Sequence, residues 1–394
     1  MAKRLPLIFA LWVFTDIYFY QVIATLAGSS AYTWIYWLID LLVMGGIVAA
    51  VFAPRGSGRQ HTLITWMMGL LLLVLVPRLF SLPVLIIEDI SRLFRGFPGR
   101  LVWVSELTLG VAGLLFLVVL FGITRGRHYY RLRRESIWFP DLPEAFDGFT
   151  ITQITDVHAG SFTSEVGVQK GLNLINKQNS DVILFTGDLV NNKADEMDRW
   201  IPAFSKLNAP MGKFSILGNH DYGDYVKWEN SAAKHANLER LKQIHKEIGF
   251  RLLLDESITL TKGKESISLI GVENWGKSFQ KYGDLKKAIR GVPDEAFKIL
   301  LSHDPTHWET ATLQHNQHVH LTLSGHTHGA QFGIDFLGFK WSPVKYVYKQ
   351  WVGLYQDAGR YLYVNRGFGF IGLKGRIGMW AEVAVITLRR QEKK

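Results

Sequence analysis

Two kinds of hydrophobic pattern divide the chain. Up to about Thr124 long apolar runs dominate; beyond it, short apolar runs alternate with segments of helical periodicity. Four of the long runs, Pro6–Gly28, Tyr32–Phe52, Thr62–Phe80 and Leu101–Thr124, approach the roughly 20 residues that a helix needs to cross a bilayer core. The third is interrupted by Pro77 and Arg78, and its apolar character resumes in "LPVLII" (Leu82–Ile87), which either continues the span or lies along the interface. "MAKR" before an apolar run resembles a signal peptide, yet three further spans come after it without a cleavage site, so it reads as a retained helix. The expectation is an all-α, four-helix transmembrane region over residues 1–124. Asp16 and Asp40 fall inside spans and Glu106 near the end of one. Such carboxylates are candidates for function, but without a repeated pattern they are expected to face the bundle interior and bond Tyr, Thr or Trp of another helix.

From Trp138 onward the pattern is that of a mostly α/β domain. "EVGVQKGLNLINKQ" (Glu165–Gln178) and "LERLKQIHKEI" (Leu238–Ile248) carry apolar residues at helical spacing. "ITQI", "VILF", "FSIL", "KILL" and "LTL" are short and continuously apolar or β-prone, as strands buried on both faces should be. Each of these runs gives way to a polar stretch. "TDVHAG" brings Asp156 and His158; "TGDLV" brings Asp188, with Asn191 and Asn192 beyond; "GNHD" brings Asn219, His220 and Asp221; "SHDP" brings His303 and Asp304; "SGHTHG" brings His326 and His328. Open α/β sheets form their sites at the carboxyl ends of strands, so these loops are expected to converge.

Charge and composition narrow the chemistry. The 394 residues include no cysteine, so disulfides and thiolate metal sites are excluded and a metal would be held by His, Asp, Glu or Asn. The net charge of +10 raises the question of nucleic acid. Much of it lies in "RGRHYYRLRRE" (Arg125–Glu135), directly after the last span, where Lys and Arg mark the cytoplasmic side of a membrane rather than a specific nucleic-acid site. Residues 125–140 are expected to form a basic juxtamembrane linker, and 141–394 the soluble domain. With four spans, Lys3, Arg4, Arg55, Arg59 and this cluster share one side, the cytoplasm; Arg92, Arg95 and Arg100 fall on the other and count against it.

The last ligand-like stretch, "SGHTHGAQ" (Ser324–Gln331), sets two histidines at i and i+2, which in extended backbone would point the same way. Asp156, His158, Asp188, Asn219, His303, His326 and His328 together offer enough oxygen and nitrogen donors for two divalent cations, whereas a closed structural zinc site needs four and more often uses cysteine. Two ions about 3.5–4 Å apart, sharing a carboxylate and a hydroxide, generate a nucleophile at neutral pH and neutralise a phosphoryl group.

"DVH", "GD", "GNHD", a lone His and "GHTH", in that order, resemble the calcineurin-like metallophosphoesterase family, from about Asp141 to Arg389. "LPEAFDGFTITQITDVHAG", "SGHTHGAQ" and "YVNRGFGF" make the chain most similar to that family's membrane-anchored bacterial branch. The resemblance implies a four-layer α/β/β/α sandwich. It implies one metal bound by Asp156, His158, Asp188 and His328 and a second by Asp188, Asn219, His303 and His326, so that Asp188 bridges. His220 matches the catalytic histidine beside the phosphate, and Asp221 is expected to orient it. Mn²⁺, Fe²⁺/Fe³⁺ and Zn²⁺ all suit the donors. Ala330 departs from the pattern, standing where a second glycine is usual.

Other features are read as incidental. "HNQHVH" (His315–His320) mimics a metal cluster but is expected to be exposed loop, and His235, His245 and His307 to lie on surface helix or loop. "NRGFGFIGLKGR" (Asn365–Arg376) either closes over the substrate with Arg366, Lys374 and Arg376 or is a turn-rich rim. "QFGIDFLGFKWSPVKYVYKQWVGLY" (Gln331–Tyr355) reads as a greasy lip meeting a bilayer or an acyl chain, against the plainer reading of hairpin packing. The expected function is a metallophosphoesterase of the bacterial cytoplasmic membrane, facing the cytoplasm. Its substrate would be a phosphodiester or pyrophosphate of a phosphorylated lipid or lipid-linked nucleotide, and relatives in the branch cleave such bonds, among them that of a UDP-linked acylated glucosamine. The alternatives are a tethered phosphodiesterase or nuclease for soluble substrates, and a membrane sensor or transporter whose domain binds a ligand without turnover.

Overall fold

A computed structural model describes residues 5–28, 33–52 and 58–390; Lys3, Arg4 and Arg55 of the charge argument lie outside the described residues. Two compact units result, one comprising the chain to Arg125 with Gly372–Gly375, the other Gly126–Ile371 and the chain from Arg376.

The first unit is built of α1 (Leu5–Ala27), α2 (Thr33–Phe52), α3 (Gly58–Leu93) and α4 (Val102–Thr124). Three stretches, Phe9–Ala27, Trp66–Leu93 and Val102–Thr124, are long and apolar enough to cross a membrane, and Thr33–Ala49 is a shorter apolar helix. The third span does not stop at Pro77: α3 runs through Pro77, Pro83 and "LPVLII" as one helix. Arg78, which interrupts the apolar run in the sequence, is buried among the helices. Its Nη1 donates to Asp16 Oδ1 at 2.5 Å and to Asp40 Oδ1 at 2.6 Å, and its Nη2 donates to Asp40 Oδ2 at 3.0 Å. The Tyr36 hydroxyl also donates to Asp16. Both carboxylates therefore face inward and Asp16 bonds a tyrosine, but their shared partner is an arginine; Glu106 is exposed.

The second unit is a four-layer sandwich. One six-stranded sheet has the order β1 (Tyr130–Phe139), β14 (Ala381–Arg390), β2 (Thr150–Ile154), β3 (Val182–Phe185), β4 (Lys213–Ser215), β5 (Arg251–Leu252). The other has the order β12 (Gly353–Asp357), β13 (Arg360–Val364), β9 (Leu321–Ser324), β8 (Lys298–Leu301), β7 (Glu265–Gly271), β6 (Glu256–Lys262). β10 (Ile334–Phe336) and β11 (Phe339–Trp341) form a separate hairpin. Helices α5 (Glu165–Asn176), α6 (Ile201–Phe204) and α7 (Ser231–Glu247) cover the outer face of the first sheet, and α8 (Leu285–Ala288) that of the second.

Strand periodicity explains the continuous apolar runs. In β3, Val182 and Leu184 enter the core between the sheets while Ile183 and Phe185 meet the helices. In β8, Ile299 and Leu301 face the first sheet and Leu300 faces the outer layer. A strand sandwiched this way has no wet face on which to place polar residues. β2, β3 and β4 run parallel, as do β7, β8 and β9, so their carboxyl ends emerge together.

One boundary is corrected. Within residues 125–140, Tyr130–Phe139 is not linker: it is β1, paired in parallel with β14 along its whole length. As an edge strand with a half-exposed face it tolerates Arg131, Arg133 and Arg134, and those charges disguise it as linker.

Removing Arg78 leaves two carboxylates buried without a counter-charge. Arg78→Leu is expected to destabilise the helical unit by about 3–5 kcal/mol, read as a lower thermal midpoint of the full chain in detergent. Combining it with Asp16→Asn and Asp40→Asn is expected to restore most of the loss.

Candidate metal centre

The loops after β2, β3, β4, β8 and β9 bring the expected donors together, and they do so through unusual backbone. Asp156, His158, Asp188, His326 and His328 all have positive φ, between 48° and 71°. Left-handed backbone costs a β-carbon-bearing residue on the order of 1–2 kcal/mol. Its repetition at five donors is the mark of a site whose surroundings over-determine it. The two histidines of "GHTH" are therefore not in extended backbone, and they diverge: His326 faces Asn219 and His303, His328 faces His158 and Asp156. Glycines allow the crowding, since a Cβ on Gly218 would strike the Asp188 carboxylate and one on Gly325 that of Asp156.

Among the described residues, two donor groups could each hold a cation: Asp156, His158 and His328, and Asp188, His303 and His326. In the first, His158 Nε2 lies 3.1 Å from His328 Nε2, which lies 3.2 Å from Asp156 Oδ1. In the second, His303 Nε2 lies 3.1 Å from Asp188 Oδ2 and 3.2 Å from His326 Nδ1, and Asn219 Oδ1 is 2.9 Å from that same Nδ1. Donors bound at about 2.1 Å around a tetrahedral or octahedral ion stand about 3.0–3.4 Å apart, a spacing these pairs match, while His158 Nε2 and Asp156 Oδ1 stand farther apart at 4.0 Å. The groups adjoin at one atom, because Asp188 Oδ2 is also 3.6 Å from His158 Nε2.

At Asp156, Asp188 and His158 the electrostatics favour the ligand form. Burial alone would raise the Asp156 and Asp188 carboxyls, but neighbouring histidines, His328 at the first and His303 at the second, override it and hold both below the usual range. Burial drives His158 well below the usual imidazole value, keeping it neutral with a lone pair for a cation. Burial also pulls at His303, yet contact with Asp188 outweighs it and pushes that imidazole up to about 10.

A surrounding layer fixes each donor. His303 Nδ1 faces the Thr186 carbonyl at 2.7 Å, directing Nε2 inward. Tyr225 accepts from Asn219 Nδ2 at 2.9 Å, turning Oδ1 toward His326. The His326 N–H donates to Asp156 Oδ2 at 2.9 Å, and Tyr348 Oη lies 2.9 Å from His326 Nε2. Tyr225, Tyr348 and Thr186 carry no signal in the sequence, because they act only through residues brought near by folding.

His220 is half-buried at the edge, with Nδ1 2.8 Å from the Asn191 carbonyl, which leaves Nε2 on the opposite side of the ring to meet a ligand. Asp221 does not orient it. Its Oδ1 accepts the N–H of Leu189 at 2.8 Å and of Val190 at 3.3 Å, and its Oδ2 those of Asp188 and Gly218 at 2.9 Å each, so it shapes the Asp188 loop instead. Burial, then the Asp188 carboxylate, push its acid up to about 7, against the pull of these donors.

Other expectations change with burial. Arg366 and Arg376 are buried: Arg366 pairs with Glu382 and Asp335, and Arg376 donates to the carbonyls of Arg366, Gly369 and Met379. Neither is free for a phosphate. His245 and His307 are core residues bonded to Ser215 and Ser302, both held neutral by burial. His320 is buried too, between the Lys298 N–H and Asp141, while His235 is exposed as expected. A cleft of about 480 Å³ opens beside Asn219 and Tyr225, with Asn274, Phe279 and Tyr282 in its walls.

Comparisons with known proteins identify phosphoesterase relatives. A family model described as calcineurin-like phosphoesterase matches residues 149–330, and one described as a probable calcineurin-like phosphoesterase transmembrane domain matches 3–127. The uncharacterized metallophosphoesterase YkuE of Bacillus subtilis is 32% identical over 267 residues, covering 66% of this chain and 86% of YkuE. A transmembrane protein with metallophosphoesterase domain from Danio rerio is 27% identical over 63% of this chain and 55% of its own length. The UDP-2,3-diacylglucosamine pyrophosphatase LpxG of Chlamydia trachomatis is 28% identical over 58% of this chain and 81% of its own.

Ala330 has φ 53° and ψ 11°, in the region where glycine is at ease. Ala330→Gly is expected to stabilise the domain by about 0.5–1 kcal/mol without altering metal content, as checked by thermal unfolding and elemental analysis.

Proposed function

The chain belongs to the calcineurin-like metallophosphoesterases, and on that premise we propose that it hydrolyses a phosphodiester or pyrophosphate of a lipid or lipid-linked substrate at a centre of two divalent cations. The observation that carries this reading is the single oxygen of Asp188 lying 3.6 Å from His158 Nε2 and 3.1 Å from His303 Nε2, between two donor groups. Asp156, His158, Asp188 and His328 would hold one ion, and Asp188, Asn219, His303 and His326 the other. Bound there, Mn²⁺, iron or Zn²⁺ would neutralise phosphoryl charge and make water nucleophilic at neutral pH.

The chain's own groups then have defined tasks. His220, anchored through Nδ1 to the Asn191 carbonyl, offers Nε2 to the leaving oxygen, which it stabilises or protonates. Asp221 positions Asp188 through backbone amides and touches no substrate. The cleft beside Asn219 supplies room for the leaving portion.

The lipid half of the reading is supported by the transmembrane family match and by LpxG, whose substrate is an acylated sugar nucleotide. Four spans with the phosphoesterase domain on the cytoplasmic side suit the basic stretch from Arg125.

The test is elemental analysis of the purified full chain beside a panel of phosphomonoesters, water-soluble diesters and lipid pyrophosphates. Asp188→Ala is expected to lose metal and hydrolysis together; full turnover by that variant sinks the proposal. His220→Gln is expected to keep its metal and lose about 10²–10⁴-fold in kcat. Turnover confined to soluble diesters would replace the lipid substrate, and metal binding without turnover of any compound would favour a ligand-sensing domain.

A further inference from the structure

The segment leaving the metal centre after Gln331 breaks several rules of a water-exposed hairpin. β10 and β11 pair Phe336 with Phe339 across a two-residue turn, Leu337–Gly338, and both turn residues have positive φ, 47° and 84°. Asn, Asp or Gly normally fill the first of these positions. A leucine there adds backbone strain and places an apolar side chain at the tip, 90% exposed. Its neighbours Phe336 and Phe339 are 69% and 60% exposed, and Tyr346 and Val347, just beyond the hairpin, 74% and 77%. Contiguous exposed apolar surface of this kind marks a binding face.

The charges select the partner. The one acid between Phe332 and Lys349 is Asp335, and it turns inward to pair with Arg133 and Arg366. What remains outside is Lys340 and Lys345, both exposed and interleaved with the aromatics. Aromatic and aliphatic side chains mixed with lysine and free of carboxylate suit the headgroup layer of an anionic bilayer. The chain supplies its own bilayer, since its first unit matches a transmembrane family model.

We propose that Ile334–Val347 is a membrane-docking lip, whose tip at Phe336–Phe339 enters the interface of an anionic phospholipid bilayer while Lys340 and Lys345 bind headgroup phosphates. The base of the lip is tied to the metal-centre loop. Ser342 Oγ donates to the Gly329 carbonyl at 2.8 Å, and Tyr348, the residue after the lip, reaches His326. Docking therefore bears on the loop that carries His326 and His328. The inference concerns binding and does not require that the substrate be a lipid.

The chain's lack of cysteine makes the test direct. Leu337→Cys in the full-length protein takes one nitroxide label, and Lys264→Cys, in the exposed turn between β6 and β7, takes the control label. Both are reconstituted in nanodiscs of phosphatidylcholine with phosphatidylglycerol, and accessibility to oxygen and to a nickel chelate is compared. Lipid insertion is expected to raise the oxygen-to-nickel ratio at 337 by about threefold or more over 264; equal ratios overturn the proposal. Dipolar broadening between labels at 337, showing a second copy of the chain on this face, also overturns it. Lys340→Glu with Lys345→Glu is expected to lower the ratio on anionic discs and leave it unchanged on pure phosphatidylcholine; no change on either overturns the assignment to anionic lipid.

Discussion

The arrangement of the phosphoesterase domain turns on how Asp188 is held. Its Oδ2 borders His158 and His303, and its Oδ1 accepts the His220 N–H at 2.9 Å. Its carbonyl accepts the N–H of Val157 at 2.8 Å and of His158 at 3.1 Å, and its own N–H donates to Asp221. Three loops from three parallel strands thus meet on one residue whose φ of 62° could not persist alone. A buried carboxylate between imidazoles is costly unless its neighbours carry or bind positive charge. The backbone bonds fix its position, and the donors around it give a cation a place to compensate it.

That geometry explains which parts of the site were legible in the sequence. The strands could be read because they are buried on both faces, so "VILF" and "KILL" match β3 and β8 in full, and the donor after each is a break in composition. Asp221 misleads for a local reason: adjacency to His220 suggests contact, but the 3₁₀ turn at His220–Tyr222 points the two side chains apart. Burial was legible for Asp16 and Asp40, which lie inside apolar runs, but not for single polar residues of the sandwich. His245, His307, Arg366 and Arg376 are surface residues by composition, and only the partners that folding delivers make them core residues. Arg78 was hidden in the same way, since the carboxylates that neutralise it lie 62 and 38 positions away.

Both units pair buried opposite charges, and the sandwich adds a second means of keeping polar groups in dry surroundings. Among the helices, opposite charges face one another, with Arg78 shared by Asp16 and Asp40. In the sandwich, backbone also meets buried charge. Asp221 is surrounded by amide N–H groups and Arg376 by carbonyls, so the polar atoms of each are satisfied without an ion pair. The second device suits a site, because it spends no opposite charge that would compete with a ligand for the donors. It also stores strain, since the Asp188 amide that donates to Asp221 belongs to a residue in left-handed backbone.

The way Arg376 is used decides where positive charge for a phosphoryl group must originate. Its Nη2 donates to the Arg366 carbonyl at 2.7 Å and its Nε to the Gly369 carbonyl at 2.8 Å, and the Arg366 guanidinium is occupied by Glu382 and Asp335. The cleft beside Asn219 is walled by amide, hydroxyl and aromatic groups and one carboxylate, Asp224, with no lysine or arginine among its described lining residues. A phosphoryl group entering here meets no lysine or arginine among the described residues of the cleft wall. On the proposed function the compensating charge has to come from cations held by the Asp, Asn and His donors. The glycine-rich C-terminal loop then serves to mould the wall around His328 rather than to grip the substrate.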